Sequence, residues 1–240
     1  MKRKIISILC IIGLWWIAAV LVNRTVILPL PYDVFKRMFT LATSSSFYAS
    51  VVSTLGRIII GFTIAMITGT ILGVFSGLYR KIEDYLSIVI SILQSIPQIA
   101  YILIILVWFK SFTAIIIIIL LMVLPVFYNN VCSGIKNIDP ELKDVILLYN
   151  QPFTYTLFKI YLPLIKSYIL SAMYTSLPLS FKVGVMAEIF VQTNQGIGSA
   201  LYFARTQIDM VSIFAWTIWM IIIVISITNG FSYIQKKTSN

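Results

Sequence analysis

Five stretches of this chain, residues 5–23, 58–79, 85–109, 111–135 and 210–235, contain no charged side chain. Each approaches or exceeds the ~20 apolar residues that a helix needs to cross a bilayer, and one charge at mid-bilayer costs about 2.5 to 3.5 kcal/mol on the insertion scale. A sixth apolar stretch, residues 164–190, is interrupted only by Lys182, Glu188 and the terminal Lys166. Six membrane helices are therefore expected. Composition agrees, with 60% hydrophobic residues, 11% charged and a mean hydropathy of +0.98, where soluble domains run near a quarter charged. Six spans would take up about 120 positions, which leaves a chain of 240 residues no room for a separate soluble catalytic domain.

The chain has no histidine, which excludes His-ligated metal sites and Ser-His-Asp or Cys-His catalysis. Cys10 and Cys132 lie far apart in apolar segments and read as small hydrophobes, so neither a disulfide nor a metal site is expected. The formal charge of +10, from 18 Lys and Arg against 8 Asp and Glu, points to membrane lipid rather than nucleic acid, because the basic residues flank the spans.

Lys2, Arg3 and Lys4 precede the first apolar stretch like the start of a signal peptide, but the stretch runs through Trp15 and Trp16 without a small-residue cleavage site, so it reads as a retained helix. With the N-terminus inside, eleven basic residues (Lys2, Arg3, Lys4, Arg80, Lys81, Lys136, Lys143, Lys159, Lys166, Lys236 and Lys237) fall on the inner side. Six, Arg24, Lys36, Arg37, Arg57, Lys110 and Arg205, fall outside. The positive-inside rule favours this orientation, with both termini cytoplasmic. Arg57 then reads as an interface anchor, and the outer connection holds one short helix around Val34 to Leu41.

Gly61, Ala65, Gly69, Gly73 and Gly77 recur at every fourth position of the second span and form one ridge of small residues that another helix can approach closely. Static helix packing is the simpler reading of this ridge, and a moving contact along a pathway the sharper one.

Residues 136–166 form the longest non-membrane element, on the inner side, and are rich in apolar residues. Asp139 followed by Pro140 and Glu141 predicts a helix start, and Asn150 to Pro152 a stop. A second short helix is expected from Phe153 to Tyr161.

Two short helices joined by a turn at this place resemble the coupling segment of ABC importer permeases. That family's loop runs Glu-Ala-Ala, three residues, Gly, nine residues, then Ile-x-Leu-Pro. Counting back from Pro163 gives Leu162, Ile160, Asn150 at the glycine and Asp144 at the glutamate, with Val145 and Ile146 replacing the alanines. The spacing fits without a gap, and Asn is the next residue after Gly to tolerate a left-handed turn. TLGRIIIGF at Thr54 to Phe62, the Gly69 to Gly77 region followed by Tyr79-Arg80-Lys81, SIPQIA at Ser95 to Ala100, and MAEIF at Met186 to Phe190 before NQGIG look like the nitrate, sulfonate and taurine branch. The resemblance covers about residues 45–235.

It implies an all-α integral membrane protein of the MetI-like, type I ABC importer permease fold in a bacterial inner membrane. Residues 1–44 would be the first span and outer connection, 45–235 the permease core, and 236–240 a cytoplasmic tail. The implied partners are a second permease chain, in a homodimer, cytoplasmic ATPase subunits that bind the ATP, and an extracytoplasmic solute-binding protein. The ATPases would press on Asp144, Val145, Ile146, Asn150, Ile160, Leu162 and Pro163. The chain itself would hydrolyse nothing, and it lacks a G-x-x-x-x-G-K-[ST] phosphate loop; Gly196 and Gly198 in NQGIGSA read as a turn.

Ionisable residues within spans are functional candidates. Lys182 either meets an anionic solute in the pathway or neutralises an acidic residue on a neighbouring helix; the sequence leaves both open. Glu188, followed by Gln192 to Gln195, reads as a structural hydrogen-bonding residue. Gln94, Ser95, Pro97 and Gln98 interrupt the third span, where Pro97 removes a backbone donor and bends the helix; they are pathway candidates, or polar bonds around a packing kink. The competing reading is a secondary transporter or channel that acts without an ATPase, using Lys182 and Glu188 as an ion-coupled pair.

Overall fold

A computed structural model describes residues 2–149 and 151–238, with the side chains of 2–5, 8, 147 and 234–238 left aside. The described residues are 87% helical, and no strand occurs among them. The long helices are α1 (Lys2–Val22), α3 (Ser45–Leu78), α6 (Ser111–Lys136), α10 (Lys166–Val191) and α12 (Met210–Thr238). Between them lie α2 (Pro31–Ala42), α4 (Arg80–Ser95), α5 (Gln98–Trp108), α7 (Pro140–Leu148), α8 (Phe153–Thr156), a π turn (Leu157–Tyr161), α9 (Leu162–Leu164) and α11 (Ile197–Thr206).

Four helices, α3, α6, α10 and α12, are long and apolar enough to cross a membrane singly. α4 and α5 make a fifth if counted together as one broken span, and the described apolar part of α1, Leu9–Val22, is shorter than a full crossing. The chain is thus a multi-pass membrane protein.

The third expected span, 85–109, is not one bent helix. α4 and α5 meet at 98°. The cause is local: Pro97 has no N–H to give, and the residue before a proline is pushed out of the helical region, so Ile96 sits extended at φ −74°, ψ 128°. The second span begins earlier than its charge-free stretch. Ser44 caps α3 by accepting from the Phe47 N–H, and the helix carries Arg57 within it because that charge finds a partner.

The centre of the bundle is the lengthwise packing of α3 on α6, with α10 laid against both. The small-residue ridge makes it possible. A Cβ on Gly69 would stand 2.7 Å from Phe127 Cβ and 2.8 Å from the Leu124 carbonyl oxygen, and one on Gly73 would stand 2.9 Å from the Tyr128 carbonyl oxygen. Gly61 meets Ile119 and Gly77 meets Ile135 in the same way, and Ala65 is fully buried between them. Across this seam the Phe62 and Phe127 rings meet edge to face at 5.6 Å.

The connection after α1 folds as α2, with Pro31 in its first turn, slightly longer than the helix expected around Val34 to Leu41. Val34 and Met38 pack on Ala215 of α12, Trp15 of α1 stacks on Phe214 at 5.4 Å, and Arg37 Nε donates to Ser212 Oγ at 2.9 Å. Asp209 caps α12 by accepting from the Ser212 N–H at 3.0 Å. Burial pushes this carboxyl up, but the Ser212 hydrogen bonds and the Arg37 charge outweigh it and hold Asp209 below the usual carboxylate range.

The ridge contact can be tested by overpacking. Gly69→Val should destabilise the purified protein by about 1–3 kcal/mol, because a carbonyl oxygen cannot step aside. Gly56→Ala on the same helix has nothing within 4 Å of the new Cβ and should be neutral or stabilise by up to about 1 kcal/mol. Thermal unfolding in detergent compares the two.

Candidate functional site

At one end of the bundle the chain leaves α6 and forms a hairpin. Asp139 Oδ1 accepts from the Glu141 N–H at 2.9 Å and Pro140 opens α7, as the cap pattern predicts. α8 then runs through the π turn Leu157–Tyr161 into Pro163 and on to α10. Ile146, Tyr161 and Ile165 form a buried cluster with Val74, Val131 and Ile135, so the hairpin is fastened to the ends of α3 and α6. A cavity of about 280 Å³ lies between hairpin and bundle, lined by Leu78, Tyr79, Ile146, Phe153, Thr156 and Tyr161.

The residues of the loop pattern divide by face. Ile146 is buried, Ile160 and Leu162 are half-buried, and Asp144, Val145 and Pro163 are exposed; Asn150 lies outside the described residues. The outward face is apolar to an unusual degree: Leu148 is 83% exposed, Tyr149 74% and Phe158 64%.

The α4–α5 break carries the second group. Gln94, Ser95 and Pro97 are exposed and Gln98 half-buried. Ser95 Oγ donates to the Ser91 carbonyl at 2.8 Å, and Ser87, Ser91, Ser95 and Pro97 line an open groove of about 520 Å³. Tyr101, which the sequence reading missed, folds back so that its hydroxyl donates to the Leu93 carbonyl across the break. α5 also touches α6 and α10.

At the end of the bundle away from the hairpin, Glu188 is 1% exposed. Its carboxylate pairs with Arg57 and accepts from Thr54 Oγ1 at 2.9 Å and from the Gly198 N–H at 2.9 Å. Thr54 Oγ1 in turn accepts from the Ile197 N–H at 2.8 Å, and Arg57 donates to the Gln195 carbonyl at 2.9 Å. α3, α10 and the start of α11 are thus tied by one polar knot. Arg57 is therefore not a membrane-interface anchor as expected: its side chain is 12% exposed and turned inward to a carboxylate. Gly196 turns the chain at φ +150°, where a Cβ would lie 2.5 Å from Glu188 Oε2. Gly198 is already helical, within α11, so the turn is shorter than expected. Thr54 was missed; its signal was a hydroxyl three residues before Arg57 on the same helix face.

Lys182 and Glu188 are not brought together. Lys182 is exposed on α10, and among the described residues the ion pairs are Arg57–Glu188 and Lys136–Glu83.

Glu188→Ala should leave the Arg57 charge stranded and cost about 3–5 kcal/mol. The double variant with Arg57→Ala should recover part of that loss. A double-mutant cycle on thermal stability reads the coupling, and additive effects would exclude the pair as a structural tie.

Comparison with known proteins places this geometry in a family. The profile described as "Binding-protein-dependent transport system inner membrane component" matches residues 65–239. A protein of Methanocaldococcus jannaschii, described provisionally as an ABC transporter permease, is 26% identical over 231 residues, 93% of this chain and 86% of its own length. The aliphatic sulfonates transport permease of Bacillus subtilis, also a provisional description, is 25% identical over 85% of this chain and 75% of its own. The formylaminopyrimidine transport permease of Halalkalibacterium halodurans is 23% identical over 86% of this chain and 82% of its own. The chain belongs to the binding-protein-dependent transport system inner membrane components, the permeases of ABC importers.

Proposed function

We propose that this chain is one of two permease subunits of a type I ATP-driven importer, and that the α7–α8 hairpin is where separate ATPase subunits push. The observation that carries the reading is the two-faced hairpin. Its inner face is locked to α3 and α6 through Ile146, Tyr161 and Ile165, and its outer face leaves Val145, Leu148, Tyr149 and Phe158 uncovered. A short amphipathic helix seated in a partner's groove transmits a rigid-body movement.

The full arrangement is six spans, α1, α3, the broken α4–α5 pair, α6, α10 and α12, with both termini cytoplasmic in a bacterial inner membrane. The excess of basic residues on the hairpin side supports it. Residues 1–44 add the first span and α2, residues 45–235 are the permease core, and 236–240 the tail. Two copies form the pathway, an extracytoplasmic binding protein delivers the solute, and ATP is bound and hydrolysed by the partner subunits. The solute is small, of the kind that sulfonate, nitrate, taurine or vitamin-precursor importers carry; the related permeases described for sulfonates and for formylaminopyrimidine support that range. A transporter acting without an ATPase would rest on a Lys182–Glu188 pair, and Glu188 is already engaged by Arg57.

Extraction of the C-terminally tagged chain from its native membrane should bring down an ABC-type ATPase in equal number. Asp144→Lys, on the exposed hairpin face, should lower that association at least tenfold with the thermal stability of the permease unchanged. A stable homo-oligomer with no nucleotide-binding partner in several detergents would overturn the proposal.

A further inference from the structure

Lys182 and Glu188 interrupt the same membrane helix and meet opposite fates. Glu188 is buried and held by Arg57, Thr54 and the Gly198 N–H. Lys182 stands exposed between the buried Phe181 and Val183. The chain has eight Asp and Glu residues. Seven, Asp33, Glu83, Asp84, Asp139, Glu141, Asp144 and Asp209, lie in α2, α4, α7 or the connections, and the eighth is Glu188. Neither this chain nor a second copy of it therefore offers Lys182 a free carboxylate within a long apolar helix.

Lipid is a poor neighbour for it as well. Lys182 lies nine residues before the end of α10 at Val191, about 14 Å along the axis at 1.5 Å per residue, beyond the easy reach of a snorkelling side chain. Its nearest neighbours on the helix, Pro178, Leu179, Val185 and Met186, are apolar, and polar groups recur two and three turns back along its face. At about 100° per residue, Ser171, Thr175 and Lys182 fall within about 40° of one another, and all three are exposed. Pro178, within the helix between them, has no N–H and gives the Tyr174 carbonyl no helical hydrogen bond. An ammonium group with two hydroxyls along one face of a membrane helix is tolerated against protein or a water-filled cavity.

We propose that the Ser171–Thr175–Lys182 face of α10 is the wall of an anion-selective pathway, in which Lys182 draws in a small, negatively charged solute. This deepens the reading of the chain as a permease subunit and rests on it. A fixed positive charge on a low-dielectric wall concentrates anions and repels cations; Lys182 carries the attraction, since the Thr175 hydroxyl already donates to the Ser171 and Ala172 carbonyls at 3.1 Å.

The test reads the local potential directly. In a background where Cys10 and Cys132 are replaced by Ala, Thr175→Cys supplies a reporter thiol two turns from Lys182. The co-purified complex, in nanodiscs, is treated with an anionic and a cationic methanethiosulfonate of similar size. The ratio of anionic to cationic reaction rates should fall about fivefold on Lys182→Gln, as expected for one charge about 10 Å away in a wet site, and should be kept in Lys182→Arg. A thiol that reacts with neither reagent would place this face against lipid or packed protein and overturn the proposal. Reaction with both reagents at a ratio unmoved by Lys182→Gln would leave the pathway without a role for the lysine and overturn it equally. Failure of the underlying permease reading is separately visible, as the absence of an ATPase in the preparation before any reagent is added.

Discussion

The close approach of α3 to α6 is the contact on which the rest of the bundle depends. In a bilayer the apolar side chains of two helices gain little by leaving lipid, so association rests on van der Waals contact and on how near the backbones can come. Gly61, Gly69, Gly73 and Gly77 bring the α3 backbone within contact of carbonyl oxygens and Cβ atoms of α6 at successive turns. Ile119, Phe127, Val131 and Ile135 on α6 fill the space the glycines leave. One smooth helix and one knobbed helix make a slab, and α10 closes over it with Gly184 admitting Ile58 in the same manner.

The two intramembrane charges of α10 show how sequence and environment divide labour. Glu188 is tolerable because an arginine, a threonine and a backbone N–H all converge on it, and the glycine at 196 is required so that nothing crowds its carboxylate. Such a fully satisfied network specifies one arrangement of three elements, where a half-satisfied one would be worse than an apolar contact. Lys182 has no such set of partners, and the same accounting that makes Glu188 structural makes Lys182 available to something outside the chain.

What the residues alone disclosed was local. Charge-free intervals marked the long helices, Asp139-Pro140-Glu141 set the start of α7, and the fourfold repeat of small residues foretold a close helix contact without saying which helix would fill it. What they hid was long-range or angular. Pro97 announced a bend, but a proline fixes only a missing donor and its neighbour's backbone, and whether the chain resumes nearly straight or at 98° is decided by what α5 packs on and by the Tyr101 hydroxyl reaching back to Leu93. Arg57 read as an anchor because its partner stands 131 positions away, a separation that no local pattern spans. The spacing of Ile160, Leu162 and Pro163 located the hairpin, yet the assignment of Ile146 to the inner face and Val145 to the outer came only with the fold.

These contacts also distribute stiffness. The hairpin is bound to the ends of α3 and α6 by Ile146, Tyr161 and Ile165, those helices are interlocked along their length, and their far end is bound to α10 and α11 by the Glu188 knot. The hairpin, the α3–α6 seam and the Glu188 knot thus form one continuous run of packed contacts, and packed interfaces shift between discrete arrangements rather than deform continuously. At the α4–α5 break helical hydrogen bonding is interrupted, and Ser87, Ser91 and Ser95 alternate with Ile88, Ile92 and Ile96 along an open groove. An interlocked slab beside a sharply broken helix pair follows from a few residue types: glycines where helices must meet, and a proline where one must turn.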